Sequence, residues 1–213
     1  YMLNISIQNP VAAQSSPSIS ILATTPDFDI QEAAMVKPNT ALLGVPGGAN
    51  PLEVVVPSFV NKTMGQTTLL PSVVNTLSLT LVSNVELLSG AWITISGLEN
   101  AGIVGTSVGL VVKAGGQDVS GYFCDGSGQG GAGEWNSVTW TLTIEVCGGS
   151  IFSVGAEYWL GVNVTNPAVG QSSPAIRISA SSMLVDIVVS GVDKLSDALF
   201  GVMDGREPLR VVV

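Results

Sequence analysis

Histidine is absent from all 213 residues. That removes at once the usual general base near neutral pH, the Ser-His-Asp triad and the commonest transition-metal ligand, and it argues against an enzyme. Charge is scarce as well. Only 11% of residues are Asp, Glu, Lys or Arg, against roughly 25% in ordinary soluble domains, so the surface is expected to be neutral, hydroxyl-rich and partly covered by neighbours. Seven basic residues face sixteen acidic ones, a net charge of −9, which opposes binding to phosphate backbones and anionic lipid heads. Neither nucleic acid nor a membrane is expected as a partner. No apolar run reaches the ~18–20 residues that span a bilayer, and no basic-then-apolar signal opens the chain, so a soluble piece is expected. The sequence starts at Tyr1 and stops inside the strand-like run Val211-Val212-Val213. Both ends are therefore expected to be cuts through a longer protein.

What is present points outside the cell. Three N-glycosylation sequons begin at Asn4, Asn61 and Asn163, which suits a secreted, surface-exposed chain. Cys124 and Cys147 are the only cysteines. In that compartment an even count reads as one disulfide, with free buried thiols as the alternative. Cys147 ends a long strand-like run, so a bridge requires the loop 125–136 to fold back or the strand to bend.

Set against itself at an offset of 157, the chain matches without a gap: Tyr1–Val56 aligns with Tyr158–Val213 with 24 identities in 56 positions. Asn9-Pro10 recurs as Asn166-Pro167, Gln14-Ser15-Ser16-Pro17 as Gln171-Ser172-Ser173-Pro174, and Pro51-Leu52 as Pro208-Leu209. A duplicated domain would match along its whole length. Here only the ends match, so the chain reads as one period plus a third of the next, as in an array whose units pack on their neighbours.

Two-residue periodicity is frequent. Val138–Val146 alternates apolar and polar residues, as do Tyr1–Ile7, Ile19–Ala23, Leu52–Val56, Leu77–Leu81, Ala91–Ile95, Val108–Val112, Tyr158–Val164 and Ile176–Ala180. Each is a predicted strand with one buried face, punctuated by Gly, Pro, Asn and Ser turns. Only Lys194–Met203 has a helical spacing of apolar residues. The predicted fold is all-β, with antiparallel Ig-like β-sandwich repeats in tandem. Residues 1–25 read as the last strands of a preceding sandwich, 26–51 as a connector, 52–182 as a complete sandwich, 183–208 as the connector repeated, and 209–213 as the first strand of the next repeat. The apolar run Leu52–Val56 is expected to seek pairing across a unit boundary.

The segments Asn75–Leu81, Trp92–Leu98, Tyr158, Asn166-Pro167 and Gln171–Pro174 resemble the large tandem repeats of extracellular surface and filament proteins in algae and related protists. The resemblance covers about residues 77–180. It implies an extracellular, β-rich structural or adhesive repeat, from a flagellar hair, a wall layer or a scale, and it carries no catalytic residues.

Local motifs offer little chemistry. Gly128–Gly133 fits a dinucleotide fingerprint in spacing, but a strand follows it instead of the helix that would face a pyrophosphate, and it reads as a hairpin loop. Asp125 and Glu134 in the same Gly-rich stretch are weak calcium candidates, because calcium wants six or more oxygens. Asp27, Asp29 and Glu32, with Asp186, Asp193 and Asp197 in the second copy, read as solvated acidic loops. No metal and no cofactor other than N-linked glycans is expected. A carboxylate pair of the glycosidase kind cannot be chosen from the residues alone. By strand parity Trp140 points inward, while Trp92 and Trp159 point outward and are expected to mark contacts with neighbouring repeats or subunits, with sugar stacking as the alternative. The sequence thus predicts a non-enzymatic structural repeat of an extracellular fibre or cell-surface coat that assembles with itself. The alternative is an adhesin or carbohydrate-binding module.

Overall fold

Where apolar and polar residues alternate, the chain is extended, because only a strand puts every second side chain on one face. The computed structural model describes residues 5–39, 48–183, 185–195, 202 and 204–213, and it falls into two units, Tyr1–Val56 and Pro57–Val213. In the first, β1 (Ser20–Thr24) and β2 (Asp29–Ala34) form an antiparallel hairpin whose residues are all exposed. Gln14 and Val54 add one antiparallel bridge.

The second unit opens with the long hairpin β3 (Phe59–Gln66) and β4 (Val74–Ser83), followed by β5 (Leu87–Leu88), β6 (Trp92–Ser96), β7 (Ser107–Ala114) and β8 (Gln117–Asp118). A 3-10 turn at Ser120–Tyr122 leads into β9 (Phe123–Cys124), then β10 (Ala132–Asn136), β11 (Thr141–Val146) and β12 (Ile151–Phe152). The remaining strands are β13 (Glu157–Thr165), β14 (Arg177–Ser181), β15 (Ile187–Gly191) and β16 (Asp193–Lys194). The strands hydrogen-bond in one continuous order, β15-β14-β6-β11-β10-β7-β13-β4-β3-β16, which folds into two layers, β15 to β10 and β7 to β16, with a separate pair β12-β5. All these pairings are antiparallel except β16 on β3. The expected all-β, antiparallel sandwich is the observed fold.

The two layers join along both flanks. Ser107–Gly109 of β7 pairs with β10, and Leu110–Ala114 pairs with β13. On the opposite flank only Val192 separates β15, paired with β14, from β16, paired with β3. Sheet edges thereby become internal on both flanks, the arrangement that removes free backbone donors and acceptors. Between the sheets lie Leu77, Leu79 and Leu81 of β4, Ile93 and Ile95 of β6, Leu142 and Ile144 of β11, and Leu160 and Val162 of β13. Each such side chain contributes about 1.5–3 kcal/mol on burial. Phe59, Phe123, Phe152 and Tyr158 close one end; Phe152 and Tyr158 stack with ring centroids 4.0 Å apart. The gap lined by Met64, Leu98, Leu142 and Leu160 is about 10 Å³, too small for a ligand.

Within residues 183–208, expected as a connector, β15 and β16 are strands and Ile187 is buried in the core. The run 209–213, expected as the first strand of the next repeat, packs in this unit. Leu209 is fully buried, and Val211 bridges back to Gln171. The apolar spacing of these residues signals burial, but it does not say against which neighbour. Another difference concerns Val138–Val146, whose strand begins only at Thr141. Asn136 Oδ1 accepts the N–H groups of Val138 and Thr139, at 2.9 and 3.1 Å, and turns the chain there. Trp140 sits at φ 54° in that turn, 6.1 Å from Trp135 between ring centroids, and half-buried against the core. Of the expected strand Tyr1–Ile7, residues 1–4 lie outside the described residues, and Ile5 to Ile7 form no strand. The helix considered for Lys194–Met203 falls mostly outside them, with Lys194 in β16.

Candidate functional site

The Gly-rich loop is held by one carboxylate. Asp125 is 5% exposed. Its Oδ1 accepts from the N–H and hydroxyl of Ser127 and from the N–H of Gln129, and its Oδ2 accepts from the Ser107 hydroxyl at 2.6 Å. Hydrogen bonds from Ser107 first and Ser127 second lower its pKa to about 2. Ser127 and Gln129 donate to Asp125 from the loop itself, which is how an Asx-type turn is built, and Ser107 donates from β7. Glu134, the other calcium candidate, is exposed on β10. Among the described residues no group of three His, Cys, Asp or Glu is placed to hold a metal ion. Next to this loop Cys124 and Cys147 form a disulfide, with Cα atoms 5.5 Å apart. The loop folds back as a bridge requires, because β9 pairs with β11 and sets Cys124 opposite Glu145.

The tryptophans separate into two pairs. Trp135 is buried and Trp140 half-buried, and both pack against the core. Trp92 and Trp159 are half-exposed, on the outward faces of β6 and β13. The Trp159 ring lies over Gly161, where an added Cβ would sit 2.7 Å from Cη2. Lys113 Nζ is 5.8 Å from the centroid of the same ring. Asn163, next on that outward stripe, is exposed and accepts the Thr76 hydroxyl proton through Oδ1. Asn61 is half-buried in β3, and Asn4 lies outside the described residues.

The most informative surface is the repeated segment itself. In the first copy Gln14 and Val54 exchange N–H···O bonds of 3.0 and 2.9 Å; in the second Gln171 and Val211 do so at 3.1 and 2.9 Å. Gln14 Nε2 donates to Leu52 O at 2.6 Å and Gln171 Nε2 to Leu209 O at 2.7 Å. Ser16 Oγ donates to Pro51 O as Ser173 Oγ does to Pro208 O. The β1–β2 register Ile21↔Ala33 and Ala23↔Ile30 returns as Ile178↔Ser190 and Ala180↔Ile187, with the irregularity in the same place. Leu52 and Leu209 both hold a positive φ, 64° and 59°.

Burial separates the copies. Ile21 is 56% exposed and Ile178 0%, and Ile30 is 57% exposed where Ile187 is 2%. In the second copy the segment lies on the rest of its sandwich through a buried polar network that the sequence reading missed. Asn75 Nδ2 donates to Gln66 Oε1 and to Asn166 Oδ1, both at 2.8 Å, and Asn166 Nδ2 donates to Leu70 O at 2.9 Å. Gln66 Nε2 donates to Glu207 O and Arg210 O, while its Oε1 accepts Leu209 N–H. The recurrence of Asn9 as Asn166 was the available signal. The partners Gln66 and Asn75 lie in the unrepeated part and carry none.

No protein-family model matches this sequence, and no curated protein matches it.

Proposed function

We propose that the chain is part of a non-enzymatic structural array, a run of β-sandwich repeats in an extracellular fibre or cell-surface coat that associates with itself. One observation carries this reading: the repeated segment makes the same local hydrogen bonds at its described residues in both copies, while Ile178 and Ile187 are buried and their counterparts Ile21 and Ile30 are exposed. A chain made to be a lone globule gains nothing from an exposed apolar copy of its own core, whereas an array uses each such face against a neighbour. The disulfide and the outward Asn163 support an extracellular setting. Their chemistry requires neither nucleic acid nor a membrane, and no helix among the described residues is long and apolar enough to cross one. Electron microscopy of a chain carrying several consecutive 157-residue units tests the proposal. Rods with a regular axial repeat are expected; dispersed, flexibly strung beads would sink it.

A second reading, a carbohydrate-binding module, is favoured by the outward Trp159 ring on Gly161 beside Lys113, since an exposed indole face stacks on sugar rings. Glycan-array binding that disappears in Trp159→Ala would shift the assignment to that reading. Unchanged, absent binding would leave the array.

A further inference from the structure

Within the reading of the chain as an array, we infer that residues 1–56 are the closing third of another sandwich, and that the face they expose is built for a body of the same kind as Pro57–Glu157, supplied in line ahead of Tyr1. The frame follows from contacts inside Pro57–Val213. Gln66 bonds to Glu207, Leu209 and Arg210, and Val211 bridges to Gln171, so the second copy of the repeated segment belongs to the same body as residues 57–157.

The identities between the copies are of two kinds. Some are explained inside the segment: Gln14 and Gln171, Ser16 and Ser173, and Pro51 and Pro208 make the same local hydrogen bonds in each copy. Others meet residues 57–157 in the second copy. Asn166 is 2% exposed and bonded to Thr68, Leu70 and Asn75, whereas its counterpart Asn9 is exposed. Gly205 has no room for a side chain, since an added Cβ would lie 2.8 Å from Gln66 O; Gly48 repeats it. Ile178 and Ile187 are covered by the core, and Ile21 and Ile30 are not. Leu209 is held at positive φ with its side chain fully buried. Leu52 has the same strained backbone and only partial burial, and such strain persists where surroundings compensate it. Every residue of the second kind is prepared for a partner with the carbonyls, amides and apolar side chains that Pro57–Glu157 presents.

The partner is placed in line rather than on another molecule because a second copy of this chain already covers its own Pro57–Glu157 with its own residues 158–213.

Hydrogen exchange read by mass spectrometry tests this on the full chain and on the same chain extended by a second copy of residues 57–157 joined directly ahead of Tyr1. In the full chain the amides of β1 and β2 are expected to exchange quickly. In the extended chain they should slow by more than about a hundredfold, approaching those of β14 and β15, which serve as the folding control. Asn9→Ala and Gly48→Val should each reduce that gain in the extended chain and change nothing in the unextended one. Three results would overturn the inference: β1 and β2 still exchanging fast beside an intact Pro57–Val213; an added segment that stays unprotected or aggregates, since residues 1–56 should suffice to complete it; or protection that arises in the unextended chain as its concentration rises, which places the partner on another molecule. None of these decides whether the array forms rods, which rests on the micrographs.

Discussion

The described residues of 14–54 and 171–211 make the same bridge, the same side-chain bonds and the same strand register, yet Ile21 and Ile30 are exposed while Ile178 and Ile187 form part of a core. The difference teaches where the stability of such a segment resides. Its internal hydrogen bonds exchange water for protein partners and contribute little net, about 1 kcal/mol each, and an isolated two-stranded hairpin is marginal. Burial of Ile178, Ile187, Leu209 and Val211 against the opposing sheet supplies what the first copy lacks. Local geometry is thus common to both copies, while persistence depends on what covers them.

The comparison breaks most sharply at the paired isoleucines. Ile178→Ala should cost Pro57–Val213 about 3–4 kcal/mol through lost burial and a residual cavity, whereas Ile21→Ala should stay within about 0.5 kcal/mol. Urea unfolding followed by tryptophan fluorescence measures this cleanly, because Trp92, Trp135, Trp140 and Trp159 all lie in that unit. Equal costs at the two positions would mean that the first copy is covered after all.

Reduction of the Cys124–Cys147 bridge, which spans 23 residues, should lower the stability of the same unit by about 3 kcal/mol. The exchange rates of β1 and β2 should not move. A smaller expected change is Asn166→Ala, at about 2 kcal/mol, because it strands the Asn75 amide and the Leu70 carbonyl in the interior. Asn9→Ala in the unextended chain should be silent by the same urea unfolding.

The mildest effect is acid sensitivity. Asp125 lies outside the repeated segment, and its pKa of about 2 is depressed from the ~3.9 of an unfolded aspartate. The unfolded chain therefore takes up this proton first. The contribution of the carboxylate is full above about pH 4 and fades as pH falls toward 2. Between those limits Pro57–Val213 should lose stability, and Asp125→Asn, less stable at neutral pH, should show a shallower acid dependence in the same window. A variant with unchanged acid dependence would remove Asp125 as the group responsible.

Much of this was legible from residues alone, and the particular failures are informative. Leu77–Leu81, Val108–Val112 and Tyr158–Val164 all lie in strands because alternation leaves a strand as the only way to gather their apolar side chains. Val138–Trp140 broke the pattern because the Asn136 side chain captured two backbone N–H groups and began a turn, a local bond that outweighed alternation. β15 and β16, past the expected boundary at 182, were not legible because they are short, and β16 joins β3 across a sequence separation of about 130 residues. Trp92 and Trp159 were legible as outward positions. The role of Asp125 as a loop anchor was not, since a carboxylate among glycines looks alike whether it meets calcium or serine hydroxyls.

By itself the amino-acid sequence determined that this protein is all-β, that it repeats at 157 residues, and that the two copies share a backbone course, because periodicity and turn chemistry act over a few residues at a time. Only the tertiary structure decided which residues close a sandwich, that Gln66, Asn75 and Asn166 meet inside it, and that one copy of the segment is buried while the other is bare. Burial is a property of what lies opposite, and nothing in a strand's own sequence says what that will be.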